Sequence, residues 1–149
     1  MYETVAKLAS AHEIEIASEI ARVVKTHKIA WFSQLSSEEL ERGVLMPLRL
    51  TLEYLQSTDL AMWRRYCARI TVKQSRNGVD DVSLIKVGDC IIIGILHFLN
   101  QESAALVKEG LSPEKVIQNV QRRLQGLKMV GSAVINSTSI SQKVAEYSL

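Results

Sequence analysis

Residues 90–99 read CIIIGILHFL, from Cys90 to Leu99, and form the most apolar run in the chain. A segment greasy on every side must be buried on every side, because apolar surface left in water costs about 25 cal/mol per Å². The run is about half the length of a bilayer span, which needs about 20 residues. Asp89 on its flank and His97 within it also argue against lipid. It therefore reads as the middle of a core helix spanning residues 81–101, around which a soluble domain is organised. Two apolar stripes run along that helix. Val82, Ile85, Ile92, Leu96 and Leu99 form one, and Leu84, Val87, Ile91, Ile95 and Phe98 form the other. Two stripes mean two packing partners. The first stripe is expected to pack on the first and third helices. The second, through Ile91, Ile95 and Phe98, is the expected dimer contact or wall of an internal ligand pocket.

Working outward, apolar periodicity predicts helices almost everywhere and period-2 alternation nowhere, so the fold class is an all-α helix bundle. With 149 residues and no repeat, charge block or linker, the chain reads as one domain. A first helix is predicted over residues 4–32, frayed before Ser10, with Ile14, Ala17, Ala21, Val24 and Trp31 on its apolar face. Ser36-Ser37-Glu38-Glu39 is a capping box that opens a second helix. Pro47 sits inside that helix, so a kink or break is expected there. A third helix runs from about Leu60 to Arg76 and closes on Asn77-Gly78. Asp80 or Asp81 caps the central helix, a short piece follows from Ser103 to Glu109, and Ser112-Pro113-Glu114 starts a helix running past Val130. Residues 136–149 are polar and serine-rich, a weak last helix or a tail.

Composition excludes several functional classes. A net charge of +2 gives no strong field for nucleic acid or an anionic membrane, and no nucleic-acid-binding module is visible. Cys67 and Cys90 lie in apolar helical contexts without ligand spacing, as expected of reduced core residues in a cytoplasmic protein. The N-terminus has no basic region followed by a continuous apolar run, so nothing suggests secretion. There is no G-x-S-x-G, P-loop or G-x-G-x-x-G, and no acid–base pair stands out, so a non-enzymatic protein is expected. No motif asks for a cofactor or metal. The candidate haem-type ligands are His97, inside the apolar run, and His27, on the margin of the first helix. A stripe of Arg65, Arg69, Lys73 and Arg76 is either a contact for an acidic or phosphate-bearing partner or a solvent face. On the second view, which the chain favours, it forms salt bridges to Glu38, Glu41 or the first helix.

From Leu35 to Asn100 the run LSSEEL, then STDLAMWRRY, then RNGVDDV before an apolar helix, has a recognisable pattern. With Asp59, Trp63 and Tyr66 at one helix start and Gly78 to Asp80 at a corner, it resembles the N-terminal sensory domain of RsbR-type stressosome co-antagonists. The same RsbRD-like module stands at the front of some bacterial histidine kinases and regulators. The resemblance implies an all-α input domain, bundle or globin-like without haem, that homodimerises and signals through its C-terminal helix to a partner. Its marks are structural, with no catalytic residue among them. An output domain such as a STAS or kinase module is absent after the last helix, so the chain is expected to act in trans or to belong to a longer protein. The alternative function is a small-molecule or haem carrier using the space near His27 and His97.

Overall fold

The computed structural model describes residues 1–147 and is all-helical. The described residues form α1 (Tyr2–Ala11), α2 (Glu13–Thr26), a 3₁₀ turn (Phe32–Gln34), α3 (Ser37–Ser57), α4 (Ala61–Ser75), α5 (Asp81–Gln101), α6 (Ser103–Lys108) and α7 (Pro113–Tyr147). Among them there is no strand.

Local chemistry sets most of the boundaries. Ser36 Oγ accepts from Glu39 N while Glu39 Oε1 accepts from Ser36 N, which is the expected capping box of α3. Asp80 Oδ1 accepts from Ser83 N at 2.8 Å and starts α5. Gly78 and Gly110 have φ of 76° and 78°, and each follows a helix end. There the next residue's N–H reaches back five positions (Val79 to Gln74, Leu111 to Leu106), which satisfies carbonyls the helix leaves open.

One expectation about the elements is corrected, and two that were left open are narrowed. The first helix is two. His12 leaves helical geometry with φ −122°, and its Nδ1 lies 3.0 Å from Leu8 O, a carbonyl of the preceding turn. The residues before it are not frayed, because Val5, Ala6 and Ala9 are fully buried. α2 then ends at Thr26. Lys28 and Trp31 take positive φ values, so Trp31 belongs to a turn; Ile14, placed on the apolar face from sequence, is 63% exposed. Second, of the kink or break expected at Pro47, the break does not occur: α3 is one helix through that residue. The carbonyl that proline leaves unpaired is that of Gly43, which is exposed and can be solvated, while Thr51 Oγ1 donates to Pro47 O at 2.7 Å. Third, of the helix or tail expected at the end, residues 136–147 are helical and form the last turns of α7; residues 148 and 149 lie outside the described residues. Ile135 is buried, and Ser139 donates to Asp81, which holds this part of α7 to the start of α5.

α5 is the central element. It packs chiefly on α2 and α7, with smaller contacts to α1 and α6. Its packing on α2 was expected, but α7 replaces the third predicted helix as its other main neighbour. At Gly94 an added Cβ would lie 2.5 Å from Ile20 Cγ1, so the α2–α5 crossing is set at a distance that only glycine permits. α5 is the only described helix long and apolar enough to cross a membrane by length and composition; here Ile95 and Leu99 are completely enclosed by the chain itself. Val82, assigned to the first stripe, is exposed, because it lies in the first turn beyond its neighbours.

Candidate functional site

α4 makes substantial contacts with α7 and lesser ones with α3, but little with α5. The space left between α4 and α5 is a cavity of about 490 Å³. Leu40, Val44, Pro47 and Thr51 of α3 form one wall, and Trp63, Tyr66, Cys67 and Ile70 of α4 another. Leu84, Val87, Gly88 and Ile91 of α5 face them, Leu124, Leu127 and Gly131 of α7 complete the ring, and Trp31 and Phe32 close one end. Both tryptophans of the chain therefore line this one space. Its volume lies in the range that holds small organic ligands.

Polar groups around it are few, and most are engaged. Trp63 Nε1 donates to Leu127 O at 3.2 Å, and its ring stacks on Tyr66 with centroids 5.8 Å apart. Thr51 bonds within its own helix, and Lys128 is paired with Asp89 at 2.6 Å. Tyr66 is different: its hydroxyl makes no hydrogen bond to any described residue. Burial raises its pKa, so the phenol stays neutral and can donate to or accept from a guest. Burial pushes the Cys67 thiol up to about 12, so the cavity offers no thiolate nucleophile at neutral pH. Arg42 and Glu39 line the space from the exposed side of α3. The lining is chiefly apolar, with few free polar groups.

Two glycines sharpen that conclusion. Gly43 and Gly88 both line the cavity, both lie inside helices, and an added Cβ at either meets nothing within 4 Å. Neither position has a positive φ. A helix-interior glycine costs about 1 kcal/mol relative to alanine. Backbone and close packing do not require these two, and their effect is to keep the space wide. Gly131 is the opposite case. Its Cβ would sit 3.0 Å from Trp63 Nε1 and 3.3 Å from Cys67 Sγ, so it lets α4 rest directly on α7.

The residues singled out from sequence are placed as follows. Ile91 lies on the cavity wall, as the pocket expectation required. Ile95 is fully buried, and Phe98 is buried with its ring 5.3 Å from that of His12. All three are interior to a single chain, so the dimer-contact expectation for Ile91, Ile95 and Phe98 is corrected: α1, α2 and α7 already cover that stripe. His97 and His27 are not brought together, and neither lines the cavity. His27 borders a separate cleft of about 410 Å³ with Lys86, Asp89 and Cys90, whose thiol burial raises to about 11. His97 is exposed, with Nδ1 at 3.0 Å from Glu19 Oε1. The basic stripe is exposed as well, and the salt bridges expected to Glu38, Glu41 or the first helix are not made. Glu13 pairs instead with Arg49 and Glu19 with Arg22. Nothing in the sequence signals that Trp31, Trp63 and Tyr66 line one space, because Trp31 lies on a different element about thirty residues before the other two.

The Glu19 cluster carries a pH prediction. Hydrogen bonds from Arg22 and then from His97 hold the Glu19 carboxyl at about 2, down from 4.5. A carboxyl depressed in the folded state contributes stability that is complete above its unfolded pKa and is lost as pH falls through the folded one. Glu19→Gln is therefore expected to lower Tm at neutral pH, with the difference from the parent shrinking between pH 4.5 and about 2. Thermal scans across the acid range read this directly. A gap that stays constant with pH would remove Glu19 as its source.

No family model matches this chain, and no match was found among curated proteins or solved structures.

Proposed function

We propose that this chain is a non-enzymatic signal-input domain whose stimulus is an apolar small molecule held between α3, α4, α5 and α7. The observation that carries this reading is the 490 Å³ cavity, walled by aliphatic and aromatic side chains and widened by two glycines that the fold does not need. The resemblance to the sensory domain of stressosome co-antagonists supports the same class. In this reading the domain is a cytoplasmic bacterial protein that homodimerises and speaks to a signalling partner. Occupancy is felt by α7, because Leu124, Leu127 and Gly131 stand on the cavity wall and the same helix continues to Tyr147. A carrier built on haem is less well supported, since no histidine faces the cavity.

The test uses the two tryptophans as built-in reporters. Titration with 1-anilinonaphthalene-8-sulfonate is expected to give saturable quenching of intrinsic fluorescence with matching dye enhancement, at one molecule per chain. The signal should fall by more than half in Trp63→Phe. Absence of saturable binding by the folded protein would overturn the reading.

A further inference from the structure

α4 carries the cavity on one face and an uncompensated charge on the other. Residues 61–76 contain five cations and no acid, although the whole chain is only +2; the remaining residues therefore sum to −3. Arg65, Arg69, Lys73 and Arg76 are exposed and line one open groove of about 610 Å³. Its floor is Ala68 and Val72 of α4 and Thr138 of α7. Lys7, Arg22 and Arg49 pair with Glu3, Glu19 and Glu13 at 2.6–3.0 Å. Other exposed cations such as Lys25, Lys108 and Lys115 have no ion pair with a described residue, but none of these stands in a row of four along one helix. None of the four groove cations has an ion pair or hydrogen bond with a described residue. The opposing stretch of α7, residues 129–142, has no charged side chain at all.

Fold stability does not account for this. Like charges at i,i+4, as in Arg65–Arg69–Lys73, destabilise a helix by about 0.2–0.5 kcal/mol per pair. α4 also buries only Cys67 and Thr71 completely, and its other apolar side chains, Trp63, Tyr66 and Ile70, lie on the face away from the stripe. The stripe from position 65 to 76 extends about 16 Å along the helix. Its floor is a trough between two helices, lined by small apolar groups. A flat membrane cannot reach such a floor, and a bare polyphosphate has nothing to place on it. A polypeptide segment with carboxylates on its edges and small apolar side chains between them satisfies both features. Arginine favours such carboxylates through paired N–H donors.

We infer that the α4–α7 groove is a docking surface for an acidic, amphipathic segment of a partner protein. Three arginines and a lysine grip its carboxylates, and Ala68, Val72 and Thr138 receive its apolar side. The site is independent of the cavity and stands whether or not the cavity binds a ligand.

The experiment measures fluorescence anisotropy of a fluorescein-labelled helical peptide with Glu at i, i+4, i+8 and i+11 and alanine or leucine between. It is compared with a scrambled peptide of equal charge, inorganic polyphosphate and phosphatidylglycerol vesicles. Saturable binding of the patterned peptide is expected, weakening with salt. The double variant Arg69→Glu/Lys73→Glu should raise its Kd at least about tenfold, equivalent to about 1.4 kcal/mol, while its circular dichroism stays that of the parent. A control pair on exposed α7 cations, Lys115→Glu/Arg122→Glu, should leave Kd within about twofold. The inference is overturned if the patterned peptide fails to bind, if the scrambled one binds as well, if the double variant binds like the parent, or if only polyphosphate or vesicles bind.

Discussion

Ile95→Ala is expected to cost about 3 kcal/mol of stability, and the same amount at every protein concentration. Ile95 is completely enclosed in the centre of α5, so truncation removes three methyl(ene) groups from water-free packing and leaves a cavity that the neighbouring helices close only in part. The floor of that site cannot collapse easily. One residue before it, Gly94 already brings α5 against Ile20 as closely as a backbone allows. For a domain of this length the loss corresponds to a fall in Tm of roughly 10 °C. Thermal or urea unfolding over about a hundredfold range of concentration checks it. A cost near zero, or one that grows on dilution, would mean that the side chain serves a second chain and not its own core.

Gly88→Leu is expected to act in the opposite way on two observables. The substitution places a side chain into the space between α4 and α5, where an added Cβ meets nothing within 4 Å. Occupying the cavity should weaken dye binding at least about tenfold, because ligand and side chain compete for the same volume. Stability should rise by about 1 kcal/mol or more, since leucine is the better helix former and buries apolar surface. Gly126→Leu separates the two effects. Gly126 is also a helix-interior glycine with open space around it, but it lies on the exposed face of α7 away from the cavity. It should give the helical gain without the loss of binding. If Gly88→Leu binds dye as the parent does, the dye is elsewhere and the cavity is not the site. If Gly88→Leu is destabilised, the cavity cannot take a side chain, and its shape is more rigid than the open space suggests.

The contrast between these two positions on one helix shows what α5 does. Its face toward α2 is filled to contact, with Ile95 inside and Gly94 against Ile20. Its face toward α4 borders the cavity, with Leu84, Val87, Gly88 and Ile91 on the wall. A helix packed tightly on one side and loosely on the other can keep its place while the loose side accommodates a guest. α4, with only two completely buried side chains, is the element best able to respond, and it carries the basic groove on its outer face.

Much of this was legible without coordinates. The helical class, the capping box at Ser36, the stop at Gly78, the start at Pro113 and the central role of residues 81–101 all follow from local chemistry and periodicity, which act over a few residues. What local rules misread or left open was decided by a distant neighbour, a side chain or a solvent path. Pro47 reads as a kink or a break because its ring removes a hydrogen bond, and the helix continues where the freed Gly43 carbonyl is exposed to water. His12 reads as helical, yet its ring takes the Leu8 carbonyl and divides α1 from α2. The serine-rich end reads as a weak helix or a tail, and Ile135 and Ser139 settle it by holding it as a helix on the start of α5.

By itself, then, the run from Cys90 to Leu99 determined that this protein is built around a buried helix with two apolar faces, because hydrophobic burial depends on composition and spacing alone. What covers each face was decided only by the tertiary structure. Periodicity shows that a stripe must leave water, but it does not say whether α2, α7, a second chain or a cavity receives it. Here one face meets α2 at glycine-limited distance, and the other lines an open space with both tryptophans. That difference depends on where α4 comes to rest, and α4 is placed by its contact with Gly131, sixty-four residues away from Cys67 in the chain.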